Sequence, residues 1–489
     1  ATAYADTLFF MDEPQMIRGG KPIEDPEEAR RAQELRAERR ARKQRERLDV
    51  FIEGEVVGEI EEKEEDPVKR KIARTMDDKA TYNEIWRVFH LAKRSKRVVS
   101  TATPMVNKTS ELTAIANLIL PRDRQIPWDF DYDTATLDDL AYYFNGRVSY
   151  VRSLDTGIDV ENMGEIIQPP QEDFESKVPL YISYMKKFQE KAYLETRKEK
   201  SDDLLLLQRE ASNFVYPDGS FAMNGFKKYT EKDGYWYKPT DEFLEYLEDE
   251  RNIKKSSCKY YEIVKRCIEA KGNCFVYGES KLGSGVVVLS MCFEAQGFER
   301  FNEDTSVFEI ENDVRGYCAT GREKEQAKKI KRGFEKKDRY AVLTPEVPKP
   351  VQDAMIECFN SYENRHGDYI KIILVSQFGR VGISLNNVVQ GHLFAPEWTA
   401  SVMYQALSRF IRATSHIALI RERQEQGISE RLQVEVFRHA AVSKTLEDKG
   451  ELSTDVHIYL NSERKDREIK RIVRMLKQIA FDCQIHYQR

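Results

Sequence analysis

Gln405, Arg409 and Arg412 in the octapeptide QALSRFIR stand at i, i+4 and i+7, a spacing that lines up on one face of a helix. The residues before them (FAPEW) and after them (HIALI) are apolar, so the stripe is a polar face set in an otherwise buried region. Two planar guanidinium groups aimed from one surface can offset the charge that spreads over a transferring γ-phosphate in its transition state. The same stripe is also the ordinary signature of a solvated helix face, so its meaning depends on what surrounds it.

A second candidate closes the apolar run DTLFFMD: Asp12-Glu13-Pro14-Gln15. An apolar strand ending in Asp-Glu is how P-loop ATPases present a Mg²⁺-holding carboxylate and a water-polarising glutamate. An ordinary strand followed by an acidic turn reads the same way. The strand RVVSTATPM (97–105) ends in the hydroxyls Ser100, Thr101 and Thr103, ahead of Pro104, which stops regular pairing. Hydroxyls at that place suit a relay between a nucleotide site and a second site. Gly379, Gly382 and Ser384 follow the apolar run 370–376, where ligand-contacting loops of parallel sheets lie. Lys227 and Lys228 interleave with Phe226 and Tyr229, a pattern that fits a stacking and phosphate surface and that amphipathic packing also produces.

These residues need elements to position them. A chain of 489 residues suggests about two to four domains. Charged residues make up 33%, yet the net charge is −5, so any nucleic-acid contact has to come from local patches. No apolar run approaches the ~20 residues of a membrane span, and nothing reads as a signal peptide. The seven cysteines are scattered and form no CxxC, which suggests reduced thiols and no zinc site. The first lobe spans 1–125 and carries a charged insertion at about 18–80, rich in i, i+4 opposite-charge pairs. A helical, aromatic-rich linking domain covers 126–255, including an amphipathic stretch from Val178 to Arg209. From 256 to 440 near-continuous apolar strands (273–278, 340–344, 370–376, 392–396) alternate with helices, which implies a parallel sheet covered on both faces. A single bracing helix over Glu463–Tyr487 closes the last segment, 441–489. The opening ATAYADTLFFMDEP runs straight into a strand, so the chain is expected to start in the middle of a longer polypeptide.

Taken in order, DEPQ, STATP, a helical middle, SSCKY, GRVGISL and QALSRFIR resemble motifs II, III, V and VI of superfamily 2 helicase-like ATPases of the Swi/Snf-like branch. The phrases STATPMVNKTSELTAIANLILP, FNGRVSYV, REASNFVYPDGS and KDREIKRIVRMLKQIAFDC are similar to the large-DNA-virus family that includes the poxvirus nucleoside triphosphatase I and the small subunit of the early transcription factor.

That resemblance implies an α/β fold of two RecA-like lobes, parallel sheets flanked by helices, with the first lobe truncated at its N-terminus and a helical insertion between lobes. It implies ATP between the lobes and DNA across both. Asp12 would hold Mg²⁺ through water, and Glu13 would polarise the attacking water. Ser100, Thr101 and Thr103 would couple nucleotide to DNA, and Gly382 and Ser384 would sit near nucleotide and backbone phosphate. Gln405 would contact the nucleotide or the coupling network, with Arg409 and Arg412 as arginine fingers. Implied partners are the viral RNA polymerase or transcription factor subunits, in the virion and the host cytoplasm, without a membrane. Two departures stand out: Ser408 replaces the family's glycine, and no GxxxxGK[ST] occurs in the chain. RGGKP (18–22) lacks the spacing, and GESKLGSG (278–285) lacks the GK[ST] ending. As given, the chain is expected not to hydrolyse ATP by itself. The alternative is a DNA-binding transcription factor subunit on the same fold that uses no ATP.

Overall fold

The computed structural model describes residues 6–14, 81–150, 155–170, 174–198, 205–301, 308–310, 328–330, 334–376 and 383–487. The expected charged insertion at 18–80, Gly379 and Gly382 lie outside the described residues. The strands in chain order are β1 (Leu8–Asp12), β2 (Lys96–Ser100), β3 (Ile158–Met163), β4 (Tyr181–Tyr184), β5 (Thr230–Asp233), β6 (Trp236–Pro239), β7 (Asn273–Tyr277), β8 (Glu299–Arg300), β9 (Phe308–Ile310), β10 (Lys328–Ile330), β11 (Arg339–Leu343), β12 (Ile372–Val375), β13 (Val388–Leu393) and β14 (Leu432–Val442). The chain divides into two compact units, residues 1–152 with 465–489, and residues 153–464.

The second unit is built on an eight-stranded sheet in the order β3-β14-β13-β7-β12-β11-β8, with β4 also paired to β14. Every pairing in it is parallel. The central strands explain their unbroken apolar sequence. Phe275, Tyr277, Ile373, Val375, Ala341 and Leu343 point into one core, with the helices Lys349–Asn360 and Ala400–Leu407. Their neighbours Cys274, Val276, Ile372, Leu374, Tyr340 and Val342 point into the opposite core, with the helices Cys258–Glu269 and Val286–Ala295. Alternate residues thus face opposite sides, but both sides are apolar, so the period of two leaves no trace in the composition. The α/β class with a large helix-flanked parallel sheet is as expected.

Two features differ from the sequence reading. Segments 158–163 and 181–184, expected within a helical linking domain, are strands β3 and β4. They lie in tandem along β14, Ile158–Met163 against Leu432–Phe437 and Tyr181–Tyr184 against His439–Val442. β3 carries exposed charges because it is an edge strand, which masks its strand character. The stretch Val178–Arg209 is accordingly a strand followed by the helices Lys187–Thr196 and Leu206–Asn213.

In the first unit β1 and β2 pair in parallel. Phe9, Met11 and Val99 on one face pack with Tyr82 and Phe89 of the helix at 81–91 and with Ala114 and Leu118 of the helix Glu111–Ile119. The long helix Thr454–Ile479 starts nine residues before the expected tail helix, and its residues from Lys465 on belong to this unit. There Ile469, Ile472 and Leu476 pack with Met105, Leu112, Leu140 and Phe144. The helix stops at Ile479 because the Phe481 N–H donates to Val148 O (3.0 Å), and Cys483–Tyr487 forms a separate short helix.

Candidate functional site

In the first unit the parallel register puts Asp12 directly opposite Ser100, 88 residues away in sequence. The Ser100 hydroxyl donates to Asp12 Oδ1. One residue on, the Glu13 N–H donates to Ser100 O (2.8 Å), and the Thr101 hydroxyl approaches Glu13 Oε2 at 3.4 Å. Thr101 Oγ1 also accepts from the Thr103 N–H at 3.0 Å, which shapes the turn before Pro104. Glu13 sits at φ +53, a left-handed backbone that a non-glycine residue adopts only where its surroundings hold it. The acidic pair and the hydroxyl cluster therefore form one oxygen-rich patch at the carboxyl end of two parallel strands.

That patch suits Mg²⁺, which prefers oxygen ligands and is commonly held by one or two carboxylates together with substrate phosphates and water. Asp12 is exposed and has a second carboxylate oxygen beyond the one engaged by Ser100. Among the described residues no cluster of three or more His, Cys, Asp or Glu is placed to hold a metal unaided.

In the second unit the QALSRFIR segment is not a continuous helix. The helix Ala400–Leu407 ends at Ser408, so Gln405 is helical while Arg409 and Arg412 lie in the turns beyond it. The helix breaks because residues 383–387 engage backbone groups that a longer helix would use internally. The Leu385 N–H donates to Arg409 O (2.9 Å) and the Asn387 N–H to Ser415 O (2.8 Å). Both arginines still converge on this loop. Arg409 donates through Nε to Gln405 O (3.2 Å) and through Nη1 to Ile383 O (3.4 Å). Arg412 donates through Nε to Ser408 O (2.6 Å) and through Nη1 to the Ser384 hydroxyl. Ser384, Arg409, Arg412 and the Gln405 carbonyl are thus one constellation.

The glycine-rich loop 278–285 follows β7 and precedes the helix Val286–Ala295, the position a phosphate cradle would take. Glu210 fills it instead: its carboxylate accepts from the Ser284 N–H (2.8 Å) and the Ser280 hydroxyl (3.1 Å). Its neighbour Arg209 donates to Glu279 Oε2 (2.5 Å) and Pro396 O (3.2 Å). Adjacent Arg-Glu pairs recur in this chain, at 421–422 and 467–468 among others, so the pair in REASNF carried no specific signal for this latch.

Lys227 and Lys228 are exposed on the helix Ala222–Tyr229, with Lys228 Nζ donating to Asp218 at 2.9 Å. Phe226 and Tyr229 turn inward, and Tyr229 stacks on Tyr216. The interleaving here is amphipathic packing, and those two rings form no stacking surface. Pro217, Asp218 and Gly219 form a turn, with Gly219 at φ +89. No helix among the described residues is long and apolar enough to cross a membrane.

No protein-family model matches the chain. The helicase-like protein 087L of Invertebrate iridescent virus 3 is 28% identical over 426 residues, covering 83% of this chain and 38% of that protein. An ATP-dependent RNA helicase-like protein of Heliothis virescens ascovirus 3e is 28% identical over 444 residues, covering 82% and 42%. The termination factor NPH-I homolog of African swine fever virus is 29% identical over 146 residues, 30% of this chain and 20% of its own length. The chain is a relative of the helicase-like proteins of large DNA viruses. The kinship expected from the motif order is borne out. The chain spans about two fifths of the length of the first two relatives. The crystal structure of the C-terminal part of the Fun30 ATPase domain is a loose likeness, with a TM-score of 0.27 at 12% identity, covering 61% of this chain and 98% of that one.

Proposed function

We propose that the chain is part of an ATP-dependent, nucleic-acid-translocating motor of a large DNA virus that acts in viral transcription. The observation that carries this is the convergence of Arg409 and Arg412 on the Ser384 loop, since a paired guanidinium cluster held by backbone carbonyls is pre-organised to meet phosphate. Kinship with viral helicase-like proteins supports the reading, and the NPH-I homolog among the relatives supports a transcriptional role.

In this reading Glu13 orients and polarises the attacking water, and Asp12 would hold Mg²⁺. Bound Mg²⁺ supplies neutralisation of phosphate charge. Arg409 and Arg412 offset the charge that grows on the γ-phosphoryl oxygens. Ser384 and Gly382 contact phosphate, and Gln405 ties the arginine turn to the nucleotide. Ser100, Thr101 and Thr103 pass the nucleotide state to DNA, to which Lys227 and Lys228 add charge. The partners are DNA and the viral RNA polymerase or its transcription factor subunits, and the setting is the virion and the host cytoplasm.

ATP turnover by the full-length protein, with and without duplex or single-stranded DNA, tests this. The reading expects DNA-stimulated hydrolysis. DNA binding without any hydrolysis would instead favour a transcription factor subunit that uses no ATP.

A further inference from the structure

We infer that Asn360 is a positioning residue for the arginine pair, an inference that rests on the phosphate-facing role proposed above for Arg409 and Arg412. Asn360 is the last residue of the helix Lys349–Asn360. That helix is fixed by Val351, Met355, Cys358 and Phe359, all buried against one face of the sheet. At its end the Asn360 side chain meets the 383–387 loop with both halves of its amide. Nδ2 donates to Ser384 O at 2.8 Å, and Oδ1 accepts from the Asn386 N–H at 2.7 Å.

The loop itself is neither helix nor strand, so its backbone groups have no ladder to join. They are shared between two clamps. Asn360 takes Ser384 O and Asn386 N, while the turn at 409–415 takes Leu385 N and Asn387 N through the carbonyls of Arg409 and Ser415. Arg409 and Arg412 reach back to Ile383 O and to the Ser384 hydroxyl. The alternation of partners along consecutive residues means that Asn360 sets the height of the loop, and the loop sets where the guanidinium groups stand. Asn387 is held at φ +57, a left-handed conformation that persists only where its neighbours impose it. Leu385, fully buried in the core, anchors the loop from beneath.

The two bonds of the Asn360 amide go to the loop backbone and not to the arginines. Its effect is geometric: a displacement of about 1 Å in a catalytic group can cost on the order of 10²-fold in rate. Replacing Asn360 by Ala removes both amide bonds at once and leaves Ser384 O and Asn386 N to water.

Four full-length proteins test this: wild type, Asn360→Ala, Arg412→Ala and the double variant. Three readouts are taken: melting temperature, amide hydrogen exchange across 383–388, and ATP turnover as kcat and KM. In Asn360→Ala the exchange of the Asn386 amide should rise at least tenfold and kcat should fall roughly tenfold, with KM changed less than twofold and no loss of cooperative unfolding. Adding Asn360→Ala to Arg412→Ala should cost little further turnover, because both act through one arrangement. An Asn360→Ala protein with faster exchange but unchanged kcat would overturn the inference, as would fully additive losses in the double variant. If Arg412→Ala itself leaves turnover untouched, the phosphate-facing role fails first, and unchanged exchange at Asn386 would then separately overturn the Asn360 clamp.

Discussion

At the scale of single residues, tolerance is set by how closely atoms approach. Gly278 follows β7, and a Cβ built there would lie 1.9 Å from the Phe394 ring. Gly278→Ala should therefore lower the unfolding free energy by about 1–3 kcal/mol, the usual cost of overpacking, measurable by urea denaturation. His392 and His439 face each other on β13 and β14 with ring nitrogens 3.0 Å apart, both fully buried. Burial, with the charge of Arg266 added, pushes His392 down to about 3 from its ordinary 6.5. Burial also holds His439 well below its ordinary value, with His392, Lys259 and Arg266 adding to it. The unfolded chain takes up protons below about pH 6.5 that the fold refuses, so stability falls as pH drops from there toward 3. Each histidine contributes a slope of up to about 1.4 kcal/mol per pH unit. Denaturation midpoints between pH 7 and 5 check this, and His392→Gln should flatten the dependence.

Elements are held by fewer, stronger ties. The helix Thr454–Ile479 is anchored at its first turn by Asp455, which is 1% exposed. Its carboxylate accepts from Lys259 Nζ (2.6 Å), the Ser212 hydroxyl (2.9 Å) and the Ala441 N–H (3.0 Å). Lys259 Nζ also donates to Asn213 Oδ1 (2.7 Å), so three helices and β14 meet at one buried ion pair. Asp455→Ala should cost about 3–5 kcal/mol, since it strands the Lys259 charge, whereas the paired change Lys259→Met with Asp455→Leu should recover most of that loss. Unfolding of the three proteins in guanidinium chloride distinguishes these cases.

Element positions also mark what the sequence could and could not reveal. The strands at β7, β11 and β12 were legible because burial on both faces forces unbroken apolar runs. β14 was missed although Leu432, Val434 and Val436 alternate with polar residues, because buried Arg438 and His439 interrupt the pattern. The end of the helix at Leu407 was illegible, since the i, i+4, i+7 spacing continues past it and the break is imposed by a loop some twenty residues upstream. The residue types of the candidate site were legible. Its bonds were not, because Asp12 meets Ser100, and Arg412 meets Ser384, only through tertiary register.

At the scale of the whole molecule, an acidic, hydroxyl-rich patch lies on one unit and a guanidinium cluster on the other. On the function proposed above, each patch supplies only one part of what phosphoryl transfer needs: carboxylates for metal and water on one side, guanidinium charge compensation on the other. Variants on either patch should therefore fail in the same way. The measurement that tests this most directly is the kcat for ATP, with nucleotide affinity measured in parallel, for full-length wild type, Glu13→Gln, Arg409→Ala and Arg412→Ala in the presence of DNA. kcat should fall on the order of 10³-fold in each variant while the nucleotide Kd changes less than about tenfold, near 1.4 kcal/mol. Wild-type turnover in both arginine variants would contradict it.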